Sequence, residues 1–179
     1  MKAVRLTLIC HAQTAAQRAG RLHRAQDGIL DHADRPLTPM PDVRVLTAPE
    51  ARTRETAAWL SGAPQVEVGL ADCDLGRWQG MTLKQLQAEQ PEALAQWLED
   101  PRSAPHGGES FAEVCQRVGG WLEAFEGKGD WLAVTHPMVI RAVIVHLLGC
   151  PLTAYQRIDV LPLSRLALSY TGQWRLRLA

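Results

Sequence analysis

The chain has 179 residues, 46% of them hydrophobic and 21% charged, which fits one globular domain with a full core and excludes a disordered or fibrous chain. Its 19 basic and 19 acidic residues cancel at pH 7, so no broad positive field is expected and nucleic acid or an anionic membrane is a poor partner. A small anionic ligand needs only a few local cations. The four cysteines form no C-x-x-C pair and read as reduced thiols of a cytoplasmic protein. The opening residues are too briefly apolar for a secretory signal, and no run approaches the ~18 apolar residues of a membrane span.

Taken in chain order, Val4 to Ile9 predicts the first strand. The stretch from Arg18 to Pro41 is polar, carries His23 and His32, and is broken by Gly20, Gly28, Pro36, Pro39 and Pro41. A loop of that length in a compact domain is functional or mobile. Val43 to Thr47 predicts the second strand and Glu50 to Leu60 a helix after it. Thr82 with Gln85 opens another helical stretch, which Pro91 interrupts before Trp97. The clearest helix starts at Ser110, where Ser110 and Glu113 form a capping box and Gly127 supplies the stop. Phe111, Val114, Cys115, Val118, Trp121, Leu122 and Phe125 share its apolar face and belong to the core. Trp131 to Thr135 predicts the third strand, Pro137 to Leu148 a helix, and the tail around Thr171-Gly172 a hairpin on the sheet edge. Strands alternating with helices imply an α/β fold with a mostly parallel sheet covered on both faces. With no repeat or linker, residues 1–179 are expected to form one domain.

Two histidines occupy equivalent positions. His11 follows the first strand and His136 the third, and parallel sheets bind ligands at the carboxyl ends of their strands. Helix N-termini there offer free N–H groups to anions. Arg52, in the first turn after the second strand, points to the same rim. Arg54 lies two residues on, a rotation of about 200°, so only one of the two can face the pocket. Two imidazoles and a guanidinium converging in this way describe a phosphate site.

The residues at these places resemble the histidine phosphatase superfamily, also called phosphoglycerate mutase-like. Ile9 to Thr14 is similar to its R-H-G-x-T signature, and Ala48 to Ala57 to S-P-L-x-R-A-x-x-T-A. Leu75 to Gly80 resembles the G-x-W-E-G turn, Gly107 to Ser110 resembles G-G-E-S, and Thr135 to Ala142 resembles T-H-G-G-V-I-R-A. The elements keep the family order across residues 4 to 150. The resemblance implies the phosphoglycerate mutase-like fold and a transient phosphohistidine at His11. It further implies phosphate binding by Arg52, His136, His11 and Gln17, with a general acid before the G-x-W-E-G turn. That register selects Asp72, with Asp74 the fallback. A model imidazole, with its pKa near ~6.5, is nucleophilic at neutral pH. No cofactor or metal is implied.

The chain also departs from the family. Cys10 stands where the family has a phosphate-binding arginine, and a lost oxyanion donor costs on the order of a hundredfold to a thousandfold in rate. Arg5 lies about 16 Å back along the strand and cannot replace it. Arg18, Arg21, His23 and Arg24 are the better candidates. Gln17 replaces an asparagine, and Ala12 replaces a glycine and would be strained at a positive φ. Pro39 and Pro41 forbid the helix that the family places after its L-T segment, which leaves self-association open.

Simpler readings apply to the remaining residues. Trp78 reads as packing, Cys10 as a space-filler, Glu109 and His106 as loop residues and His146 as a helix-surface residue. The expected function is hydrolysis of a small phosphorylated metabolite. Hydrolysis is favoured over mutase action because a short chain has little room for a shielding lid. In size and motif layout the chain is similar to the α-ribazole phosphatase type. The alternative is a non-catalytic descendant that binds a phosphorylated ligand or inorganic phosphate.

Overall fold

The computed structural model describes residues 4–31 and 35–178; His32 therefore lies outside the described residues. Six strands form one sheet, β1 (Val4–Cys10), β2 (Arg44–Thr47), β3 (Gln65–Val66), β4 (Gly129–Thr135), β5 (Arg165–Tyr170) and β6 (Trp174–Arg177), in the order β3-β2-β4-β1-β5-β6. The first four of that order run parallel, and β5 and β6 run antiparallel. The sheet is thus mostly parallel, closed at one edge by the expected terminal hairpin. The two-residue β3 carries too little pattern to be found from sequence.

Along β1, Leu6, Leu8 and Cys10 face one core and Ile9 the other. The first face is covered by α5 (Phe111–Glu123) and α6 (Pro137–Leu148), which pack on each other. The opposite face is covered by α2 (Ala51–Ala57), with Leu37, Trp59 and Leu60 in the same cluster. Residues 36–43 contain no helix. α5 begins at the Ser110–Glu113 capping box but ends at Glu123, before Gly127, where Ala124 caps the last turn. The short α1 (Ala15–Arg18) follows β1 directly. α3 (Leu83–Glu89) and α4 (Pro91–Glu99) meet at Pro91, and Leu86 and Leu94 pack on the fully buried Trp78 to form a separate small core.

The stretch after α1 is folded back rather than loose. Leu22 N donates to Met81 O at 2.8 Å, Leu30 N to Gln13 O at 2.8 Å, and Arg21 grips Asp27 through both terminal nitrogens at 3.1 Å. His106 lies in a loop as expected, yet it is fully buried between Trp78 and Trp97, with ring centroids 5.3 and 6.3 Å away. Its tight Pro-His-Gly-Gly turn places the ring under the neighbouring loop, which local sequence cannot anticipate. His146 is exposed on α6 beside α5, its Nε2 3.2 Å from Glu123 Oε1.

Candidate active site

Within the parallel set, β1, β2 and β4 each lead by a short connection into a helix. His136 is the N-cap of α6, with Pro137 at its first position, where the missing N–H costs nothing. Glu50 is the N-cap of α2 and makes no capping bond, so its carboxylate is free to reach across the rim. His11 follows β1. The two rings meet at a centroid distance of 5.3 Å, and His23 lies 5.6 Å from His11 on another side. Strands far apart in sequence therefore bring His11, His136 and Arg52 to one place. Arg52 is buried and Arg54 exposed.

The hydrogen bonds fix the orientation of the rings. His11 Nδ1–H donates to Ala12 O at 2.7 Å, which leaves Nε2 with its lone pair and no partner. Burial, with His136 beside it, pushes this imidazole down to about 3, so it is neutral at physiological pH. His136 Nε2 lies 2.8 Å from Glu50 Oε2, and its Nδ1 stands 3.3 Å from Asp72 Oδ2. Arg52 Nη2 donates to Asp72 Oδ2 at 2.5 Å and Nη1 to Arg24 O at 3.1 Å, while its Nε is unpartnered. His11 Nε2, Arg52 Nε and His136 Nδ1 are thus buried polar atoms without a hydrogen-bond partner, all on residues at the same sheet rim.

Asp72 faces this group and Asp74 does not. Burial alone would raise the Asp72 carboxyl, but His136, Arg52 and His23 outweigh it and hold it well below the usual carboxylate range. Asp74 turns back to its own loop, accepting from Gly76 N at 2.9 Å and Gln79 Nε2 at 3.1 Å. Glu109 is bound by Arg117 through both oxygens, at 2.8 and 3.0 Å.

A cavity of about 670 Å³ opens beside these groups, lined among others by His23, Arg24, Glu50, Arg52, Asp72 and Leu83. His11 and His136 lie beneath it without solvent exposure.

Gln17 is not brought to this site. Its Oε1 accepts from Thr14 N at 3.0 Å and completes the capping box of α1, so the amide is held by its own helix start. Cys10 is fully buried with Leu6 and Leu8, and burial pushes its thiol up to about 12. Ala12 keeps a negative φ, so no strain arises from the missing glycine. Of the substitute cations considered, Arg18 is exposed away from the cavity and Arg21 is paired with Asp27. His23 donates to or accepts from Thr14 Oγ1 at 2.9 Å and is pushed down to about 4 by burial, with the Arg52 charge adding to the effect. Arg24 lines the cavity with no ion pair recorded among the described residues.

Sequence reasoning missed two residues. Glu50 occupies the leucine position of the S-P-L-x-R pattern, and an acid two residues before Arg52 at a helix N-cap was a visible signal. Arg117 lies on α5 beside the apolar stripe, and nothing local distinguishes it from a surface arginine.

A mostly parallel sheet with histidines at two strand ends and an arginine in the helix between them defines the phosphoglycerate mutase-like class. Residues 6–178 match the model of the histidine phosphatase superfamily (branch 1), and the chain belongs to that superfamily. Over 173 residues it is 31% identical to a glucosyl-3-phosphoglycerate phosphatase of Mycolicibacterium vanbaalenii, covering 84% of this chain and 77% of that protein. Over 120 residues it is 32% identical to phosphoserine phosphatase 1 of Hydrogenobacter thermophilus, a match spanning 62% of this chain and 56% of that protein. The fold superposes on the mycobacterial glucosyl-3-phosphoglycerate phosphatase with TM-score 0.78 at 25% identity, covering 98% and 97% of the two chains. It also superposes on a putative alpha-ribazole-5'-P phosphatase from Escherichia coli with TM-score 0.84 at 24% identity, covering 98% and 95%, a likeness of fold alone.

Proposed function

We propose that this protein is a phosphoric monoester hydrolase acting on a small phosphorylated metabolite through a phosphohistidine at His11. The observation that carries the reading is the group of buried, unpartnered nitrogens on His11, Arg52 and His136. Arg52 Nε–H lacks an acceptor, at a cost of about 1–3 kcal/mol that a phosphoryl oxygen would relieve, and the lone pair of His11 Nε2 is free to attack phosphorus. The phosphatase names of the relatives point the same way.

In the proposed reaction the Nε2 lone pair of His11 forms the bond to phosphorus as the bond to the leaving oxygen breaks. Ala12 O, bonded to Nδ1–H, stabilises the positive charge that develops on the ring. Arg52 and His136 stabilise charge on the non-bridging oxygens. Asp72 gives its proton to the leaving oxygen. Water then attacks phosphorus, its proton passes to Asp72, and the N–P bond breaks to release phosphate. Arg52 and His136 flank Asp72 and hold it ionised. An arriving phosphoryl group competes for both, so the carboxylate loses its counter-charges and takes up a proton. Substrate binding thereby prepares the acid.

Specific features favour a second reading, a phospho-ligand-binding descendant without turnover. Cys10 is buried in the core and does not line the cavity, Glu50 adds a carboxylate to the rim, and His11 has no solvent exposure. The two readings separate on turnover of an aryl phosphate by wild type and His11→Ala, with mass spectrometry of protein quenched in alkaline denaturant. Hydrolysis requires wild-type turnover, a loss of at least ~10³-fold in the variant, and an acid-labile phosphoryl adduct on the His11 peptide. Equal rates in the two proteins would rule out phosphohistidine chemistry. Vanadate binding without turnover would establish the descendant.

A further inference from the structure

We infer that Arg117 is a positioning residue for the acid: it fixes the loop that presents Asp72, an inference that rests on the hydrolase reading above. All five N–H donors of its guanidinium are engaged. Nη1 donates to Gly69 O and Ala71 O, both at 3.1 Å. Nη2 donates to Asp72 O at 3.3 Å and Glu109 Oε2 at 3.0 Å, and Nε donates to Glu109 Oε1 at 2.8 Å. Carbonyls of residues 69, 71 and 72 thus converge on one cation held by α5, a rigid helix. Glu109 completes the clamp from below, because its Oε2 also accepts from Asp74 N at 3.1 Å. On the other side Glu50 Oε1 accepts from Asp72 N at 3.0 Å. The peptide units around Asp72 are therefore pinned at both the carbonyl and the amide.

This arrangement leaves Arg117 no donor for a substrate, although it lines the cavity. Its effect on the reaction runs through Asp72. A fork of five donors in one plane is what the set of acceptors requires; a lysine offers only three. A carboxyl group that must meet the leaving oxygen within hydrogen-bond reach loses effect when its backbone is released.

The test exploits the fact that a general acid matters only when the leaving group is a poor one. Wild type, Arg117→Met, Arg117→Lys, Asp72→Asn and the double variant Asp72→Asn/Arg117→Met are compared on 2,4-dinitrophenyl, phenyl and alkyl phosphates. Arg117→Met is expected to lower kcat/KM, which reports phosphoryl transfer to His11, on phenyl and alkyl phosphates by ~10- to 100-fold and on the dinitrophenyl ester by less than about threefold. Arg117→Lys recovers part of the loss. The double variant is no slower than Asp72→Asn alone, since both act through one group. An equal loss on all esters, or losses that multiply in the double variant, would show a structural role only and overturn the inference. Glu109→Gln, which weakens the clamp while leaving Arg117 in place, gives the same selective pattern at smaller size and serves if Arg117→Met does not fold. Should wild type and His11→Ala be alike on the dinitrophenyl ester, the hydrolase reading itself fails, and Arg117 then has no acid to position. Wild-type turnover that depends on His11, without leaving-group selectivity at Arg117, sinks the positioning role alone.

Discussion

At the scale of single residues, charge state follows burial. His11 and His23 are pushed down to about 3 and about 4, below the ordinary value near ~6.5 that they regain on unfolding. The unfolded chain therefore takes up protons first as pH falls. Stability should be nearly fully present above about pH 6.5 and decline from there to about pH 4 for His23 and about pH 3 for His11, by of order 1–2 kcal/mol per ring at pH 5. Asp72, held below the usual carboxylate range, contributes stability that is lost only as pH falls further. Urea midpoints at pH 7 and pH 5 measure this, and His23→Gln should flatten the dependence. An unchanged slope in that variant would mean that its ring is solvated. Cys10 and Glu50 make the site less cationic than the family pattern implies, which bears on rate rather than fold.

At the scale of elements, the site depends on loops that meet through glycine. A Cβ on Gly108 would lie 2.0 Å from Asp74 O and 2.9 Å from Gly76 N, both backbone atoms. The turn carrying Gly108 and the loop carrying Asp74 can approach only because position 108 has no side chain. Gly108→Ala is expected to destabilise the protein by about 1–3 kcal/mol, read from its denaturation midpoint. It should also lower turnover beyond what unfolding explains, since Asp72 and Asp74 share that loop. Full activity in the variant would mean that the loops can part without moving Asp72. Much of this element structure was legible in sequence. The boxes at Thr82–Gln85 and Ser110–Glu113 form as their spacing implied, because a cap is settled within four residues. The same local logic acts at Gln17, whose Oε1 accepts from Thr14 N and closes the capping box of α1.

At the scale of the molecule, an anion that binds only the folded state stabilises all of it. At a hundredfold excess over its Kd, vanadate should add about 2.7 kcal/mol, which for this size raises Tm by roughly 5–10 °C. Arg52→Met should abolish the shift. A shift of equal size in that variant would place the anion elsewhere. The absence of a helix over residues 36–43 was also legible, since two prolines exclude one whatever surrounds them.

The sequence alone determined what depends on neighbours in the chain: strand and helix order, caps, turns, and the family pattern around His11, Arg52 and His136. Only the tertiary structure decided the partners. Glu50 meets His136 across 86 positions and Arg117 reaches Gly69 across 48, distances over which no periodicity or propensity carries information. Those contacts are set by how β2, β4 and α5 pack, and packing is a property of the whole core rather than of any segment.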